Sequence, residues 1–309
     1  MRPEVFVMTV AGRAKRKMNP RTRRQIIYGL LYILPSFVLM MTFNVIPIFL
    51  SLFFSFTKYN MASAPEWIGL ENYAKLFSNR VLTEALSNTV KYVLITVPAQ
   101  TVLALLIAVF IAERLNNAYG SLMRSIIFIP VIVSLIASAT VWHIMYQPKG
   151  GLINQFIELL GGQAVNFLGK KDYALPSVAA VAIWKGTGYY MVIYYAGVMN
   201  VPQEVQEAAI VDGASPFQRF RYITLPILRP ITYMIVTLGI IGSFQVFDLV
   251  YKMTGGGPGR STYTVAYVIY TFAFQDKNYG YASAVAVCLL IVILLIHLVQ
   301  TKLFKEKDA

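Results

Sequence analysis

The residues most able to do chemistry in this 309-residue chain lie in three stretches. Trp184, Lys185, Gly186, Thr187, Gly188, Tyr189, Tyr190, Tyr194 and Tyr195 crowd one otherwise apolar run, an unusual polar and aromatic load for a helix facing lipid. Gly186, Tyr189 and Ile193 share a helical face by their three-and-four spacing. Aromatic faces carrying phenol hydroxyls suit a sugar ring, which shows C–H groups on its faces and hydroxyls at its rim. The competing reading is structural: glycines let helices approach closely and tyrosines seal the contact. A second run holds Gly239, Gly242, Ser243 and Gln245, with Ser243 four residues after Gly239 on the same face. In the third, Thr254-Gly-Gly-Gly-Pro-Gly-Arg-Ser-Thr262, successive glycines could aim N–H groups at an anion. It lacks the Gly-Lys-Ser/Thr of a phosphate-binding loop, so a flexible turn is expected. His143, His297 and Cys288 stand singly on apolar runs and read as packing groups, too few for a zinc site. No acid, base and nucleophile assemble into a catalytic set.

The elements that position these residues must cross a membrane. Of the chain, 57% is apolar or aromatic and 13% charged, against about 25% charged in an average soluble domain. A spanning helix needs roughly 20 apolar residues. Uncharged runs cover 26–57, 92–112, 125–148, 230–247 and 278–301, and 173–199 is broken only by Lys185. The expectation is an all-α integral membrane protein with six transmembrane helices, at about 26–56, 92–112, 125–147, 173–199, 230–250 and 279–301. The stretch 261–275 is expected to be interfacial or re-entrant.

Net charge is +13, from 27 bases and 14 acids. Its densest part is a basic arm, 1–25, with Arg13, Lys15, Arg16, Lys17, Arg21, Arg23 and Arg24; Lys302, Lys305 and Lys307 close the chain. By the positive-inside rule both termini are cytoplasmic, and the arm marks topology and attracts anionic lipid headgroups rather than nucleic acid. The first apolar run is too long for a cleaved signal peptide, and is expected to stay in the protein.

The loop 200–229 then lies on the inner side and reads as a helical hairpin. Pro202 suits a first turn; Val201, Val205, Ala208 and Ala209 fall on one face, and Gln203, Gln206 and Glu207 on the other. Gly213 ends that helix as a left-handed cap, Ser215-Pro216 starts another, and Pro226 is expected to stop it before the next span. A face of Val and Ala, without bulky Leu, Trp or Phe, is sized for close approach to another protein rather than for resting on a bilayer.

Glu207-Ala208-Ala209, three residues, Gly213, nine residues, then Ile223-Thr224-Leu225-Pro226 resembles the EAA loop of membrane permeases of binding-protein-dependent ABC importers. Ile183-Trp184-Lys185-Gly186, Phe247-Asp248-Leu249-Val250-Tyr251 before Thr254-Gly255-Gly256-Gly257-Pro258, and Tyr279-Gly280-Tyr281-Ala282-Ser283-Ala284 are similar to the carbohydrate branch, specifically the larger permease of maltose-type and glycerol-phosphate-type systems. The resemblance covers about 26–305 and departs at Gln206, where an aromatic residue is usual. It implies the type I ABC importer permease fold in a bacterial or archaeal cell membrane. It also implies a second homologous permease, two ATPase subunits that carry ATP and Mg, and an external solute-binding protein delivering a sugar. On this resemblance Glu207, Ala208, Ala209, Asp212, Gly213, Leu225 and Pro226 couple to the ATPase, and Trp184, Gly186, Tyr189, Tyr190, Gly239 and Ser243 line the solute path. The chain itself would bind no cofactor and catalyse no reaction.

Other classes fit less well. Another solute, such as glycerol phosphate, stays open. An ion-driven secondary transporter usually needs acids within its spans, and here Asp248, at a span edge, is the one acid placed to pair with Lys185. A membrane enzyme would need the catalytic set that is missing.

Overall fold

The computed structural model describes residues 20–115 and 117–305, so the basic arm ahead of Pro20 and the end beyond Lys305 lie outside the described residues. The chain divides into two compact units, 1–50 and 51–309. Helices dominate: α1 Pro20–Met40, α2 Ile46–Ser55, α3 Glu71–Ser78, α4 Arg80–Arg114, α5 Ala118–Ile132, α6 Leu135–Met145, α7 Leu152–Leu159 and α8 Lys171–Met199. They continue as α9 Gln203–Val211, α10 Pro216–Arg219, α11 Leu225–Ile227, α12 Arg229–Phe244, α13 Asp248–Met253, α14 Val265–Tyr270 and α15 Tyr279–Lys305. A two-stranded antiparallel ribbon pairs β1, Thr57–Lys58, with β2, Glu66–Trp67.

Ile27–Ser55, Arg80–Arg114 and Tyr279–Lys302 are long and apolar enough to cross a bilayer, and two bent helix pairs, α5 with α6 and 216–227 with α12, match them in composition. The protein is therefore a multi-pass membrane protein. In the first unit α1 is continued by a π-helical turn, Met41–Val45, and its Tyr32 and Phe43 are exposed, a surface that suits hydrocarbon.

Helix α4 organises the second unit. Its buried positions, Ala85, Thr89, Tyr92, Thr96, Gln100, Ala104, Ala108 and Ile111, recur every three or four residues and form one stripe of small and polar side chains. Small residues allow close approach in a bilayer, where packing and polar contacts hold helices together. The stripe meets α8 along its length and α12 and α14 beside it. The Thr89 hydroxyl accepts the Val265 N–H at 3.0 Å, and the hydroxyls of Thr96 and Ser243 lie 3.0 Å apart. On the far side of α8, a Cβ at Gly188 would lie 2.3 Å from the Ile127 carbonyl oxygen, so this glycine does permit tight packing, against α5.

Four sequence expectations need correction. The run 125–147 is two helices meeting at 97° around Val133 and Ser134, not one straight helix. Helix α5 ends at Ile132, so the carbonyls of Pro130 and Val131 have no helical donor, and these and the Val133 carbonyl are met by Lys185. The run 230–250 stops being one helix at Phe244, and beyond it the carbonyl of Val246 accepts from the Thr264 hydroxyl at 2.8 Å. Pro226 does not stop the hairpin's second helix. A π-helical turn, Phe220–Thr224, precedes it and widens the ladder, the chain continues to Ile227, and the 67° bend falls at fully buried Leu228. The turn 254–262 is packed rather than flexible, with buried Thr262 donating to the Gly257 carbonyl at 2.9 Å and Tyr267 donating to that of Gly255 at 2.8 Å.

The segment Tyr279–Ala284 is a packing motif. A Cβ on Gly280 would stand 2.0 Å from the Thr57 carbonyl oxygen, Asn79 donates to the Tyr281 hydroxyl at 2.9 Å, and Ala284 is fully buried. Gly280→Ala must push two backbones apart, and is expected to destabilise the chain by about 1–3 kcal/mol. Thermal unfolding in detergent checks this; an unchanged midpoint would contradict the close contact.

Candidate functional site: a membrane cavity and an exposed helical hairpin

Where α4, α8 and α12 converge, they line an open cavity of about 320 Å³, within the lower part of the range for small-molecule sites. Gly186, Tyr189, Tyr190, Gly239 and Ser243 all line it, so five of the six solute-path residues expected from sequence come together. Trp184 does not line it; its ring stands edge-on to Trp142 at 5.4 Å. Two other tyrosines of the crowded run have structural partners. Tyr194 donates to the Thr232 hydroxyl at 3.0 Å, and Tyr195 lies under the Arg124 guanidinium at 4.2 Å.

Sequence reasoning missed one residue that lines this cavity, Gln100. Its amide lies between the two glycines of the neighbouring helices. A Cβ on Gly186 would meet its Oε1 at 2.8 Å, and one on Gly239 its Nε2 at 2.8 Å. The glycines therefore make room for a polar side chain, not only for helix contact. Gln100 is 5% exposed, and that exposure is to the cavity it lines. A buried primary amide offers two donors and one acceptor, a set suited to hydroxyl groups. Tyr92, Thr96 and Gln100 recur at helical spacing on α4 and were legible as a polar face in an apolar run.

The cavity holds two charged side chains, Lys185 and Asp248. Lys185 donates to the carbonyls of Pro130 at 2.7 Å, of Val131 at 3.3 Å and of Val133. Among the described residues no ion pair joins it to Asp248, because its three N–H donors are already engaged. The other single residues are structural: His143 Nδ1 lies 3.0 Å from the Met253 carbonyl oxygen, and Cys288 is half-buried.

The hairpin 200–229 is built by local rules. Helix α9 ends in a paired cap: Gly213, at φ +79°, sends its N–H to the Ile210 carbonyl and Ala214 sends its own to Ala209. Ser215 opens α10 with a reciprocal cap in which Gln218 takes part. Which side of α9 faces the chain differs from the expectation. Gln206 turns inward, donating to the Thr224 hydroxyl at 3.2 Å and accepting from Arg219 at 3.3 Å, and half-buried Ala209 lies beside it. Val205, Glu207, Ala208, Asp212 and Gly213 are exposed, and Glu207 accepts from Gln203 at 2.7 Å. Leu225 is half-buried and Pro226 exposed. Thus the position that departs from the EAA pattern is the one that joins the hairpin's two halves. Gln206→Ala removes two hydrogen bonds worth about 0.5–1.5 kcal/mol each. It is expected to speed amide hydrogen exchange across 203–224 while leaving α4 and α8 unchanged; uniform exchange in both would contradict the bracing role.

Apolar helices packed around a cavity, with an exposed helical hairpin between two of them, fit a membrane permease. The chain belongs to the family of binding-protein-dependent transport system inner membrane components, which it matches over residues 67–306. It is 34% identical to the probable ABC transporter permease protein YurN of Bacillus subtilis, over 89% of this chain and 95% of that one. It is 33% identical to the trehalose/maltose transport system permease protein MalF of Thermococcus litoralis, over 89% of this chain and 92% of that one. The fold is similar to that of a bacterial ABC transporter involved in the import of the acidic polysaccharide alginate, with a TM-score of 0.81, 23% identity, and coverage of 92% of this chain and 96% of that one.

Proposed function

We propose that this permease forms the membrane path of an ABC importer for a carbohydrate, with ATP hydrolysed on Mg-bearing partner subunits. The observation that carries this reading is the buried amide of Gln100, held between Gly186 and Gly239 and facing a cavity that Tyr189, Tyr190 and Ser243 also line. Amide and hydroxyl groups beside tyrosine rings match a sugar's rim and faces. Kinship with a trehalose/maltose permease supports the same substrate class. The Asp248 carboxylate adds an acceptor for sugar hydroxyls.

A glycerol phosphate is less well matched. The one cation lining the cavity is Lys185, and its donors are committed to backbone carbonyls, so an anion entering there would meet no free positive charge among the described lining residues.

In this reading the chain crosses the membrane six times with both termini in the cytoplasm, pairs with a second permease, receives solute from an external binding protein, and seats exposed α9 against an ATPase subunit. The chain contributes a path and a docking element but no catalytic group. The test is uptake of labelled sugars into proteoliposomes holding both permeases, with ATPase and binding protein added or left out. Uptake should need both added components and ATP. Uptake driven by an ion gradient without the ATPase would overturn the reading.

A further inference from the structure

Helix α5 ends at Ile132 and α6 begins at Leu135, turned by 97°. The last carbonyls of α5 have no helical donor, and the extended Val133 adds another group outside the ladder. In hydrocarbon, where water cannot supply the missing bonds, such an elbow is costly unless another side chain does. Ser134, at the start of α6, makes no side-chain cap. Lys185 reaches across from α8, and its ammonium lies against the carbonyls of Pro130, Val131 and Val133. A cation also suits the negative end of the α5 dipole.

We infer that Lys185 is a positioning residue: it holds the α5–α6 elbow in the bent shape that forms one wall of the solute cavity. The wall and the clamp are contiguous, since Val131 and Leu135, on either side of the bend, line the cavity together with Lys185 and Gly186. The charge would serve the shape of the path rather than touch the solute. The consequence for transport rests on the reading under Proposed function; the effect on the elbow does not.

The tryptophans give a direct readout. The chain has three, and two flank this joint: Trp142 on α6 and Trp184 on α8, 5.4 Å apart with rings at 67°. In a Trp67→Phe background, circular dichroism from the coupled Trp142–Trp184 pair reports the elbow's position. Lys185→Met should abolish that signal and lower sugar turnover about tenfold, the scale of one charge-assisted hydrogen bond. Lys185→Arg, which keeps the charge and the donors, should retain most of both. Should Lys185→Met fail to fold, Lys185→Gln serves in its place and should show an intermediate signal. An unchanged pair signal in the neutral variants would overturn the inference, as would lost turnover with the signal intact, which would mean that Lys185 acts on the solute. If the parent complex shows no ATP-driven uptake, the transport reading fails while the tryptophan signal still tests the clamp.

Discussion

Glu207→Lys is expected to abolish ATP-driven sugar uptake while the permease still inserts and folds. Glu207 is exposed on α9, and among the described residues it is bonded to Gln203 on the same helix. Little in the chain's own stability depends on it, because exposed interactions of this kind are worth under about 1 kcal/mol. A large loss of function with a normal unfolding midpoint therefore points to a partner. Gly213→Asp sharpens the same point. A Cβ there would meet nothing within 4 Å, so the intrinsic penalty is confined to the positive φ of +79°, about 1–2 kcal/mol. If Gly213→Asp also ends uptake, the cause is the aim of α9 toward another subunit and not damage to this one. Normal uptake by either variant would remove α9 from the coupling path.

The second large effect is expected at Gly239. Gly239→Leu would drive a side chain into the Gln100 amide, which a Cβ already approaches to 2.8 Å, and into Val97 at 3.4 Å. Overpacking of this kind costs about 1–3 kcal/mol, and here the displaced atoms are those facing the solute. Uptake should fall at least about tenfold. Binding-protein docking and assembly with the ATPase should be unaffected. Gly242→Ala is the control: its Cβ meets open space, and it should transport nearly as well as the parent. Equal losses in both variants would mean that glycine in α12 matters for flexibility rather than for the space around Gln100.

Much of the site was visible in residue order because it follows from spacing. Gly186 and Tyr189 share a face by helical spacing on one apolar run, Gly239 and Ser243 were placed in the path by the family resemblance, and all four line the cavity. The hairpin's caps at Gly213 and Ser215 were legible because capping is local chemistry. What escaped is non-local. Gln100 sits on a helix whose polar face has meaning only once α8 and α12 pack on it. The elbow at Val133 is met by a lysine 52 residues away in sequence, on another helix. Gln206 looked like a departure from pattern and proved to be the brace for Thr224 and Arg219. The helix breaks at Val133 and Gln245 were hidden for a related reason. Composition alone shows that a run is apolar, but not that Lys185 or Thr264 will satisfy the backbone groups a break exposes.

Coupling between an exposed α9 and an ATPase subunit is the central claim, and cross-linking tests it most directly. Cys288 is the chain's one cysteine, so Cys288→Ala with Ala208→Cys leaves a single thiol on the exposed face of α9. In the assembled complex that thiol, labelled with a maleimide–benzophenone, should cross-link to the ATPase subunit on irradiation, and the cross-linked complex should lose ATP-driven sugar uptake. A thiol at Ala208 that reacts only with soluble reagents in an actively transporting complex would contradict the claim.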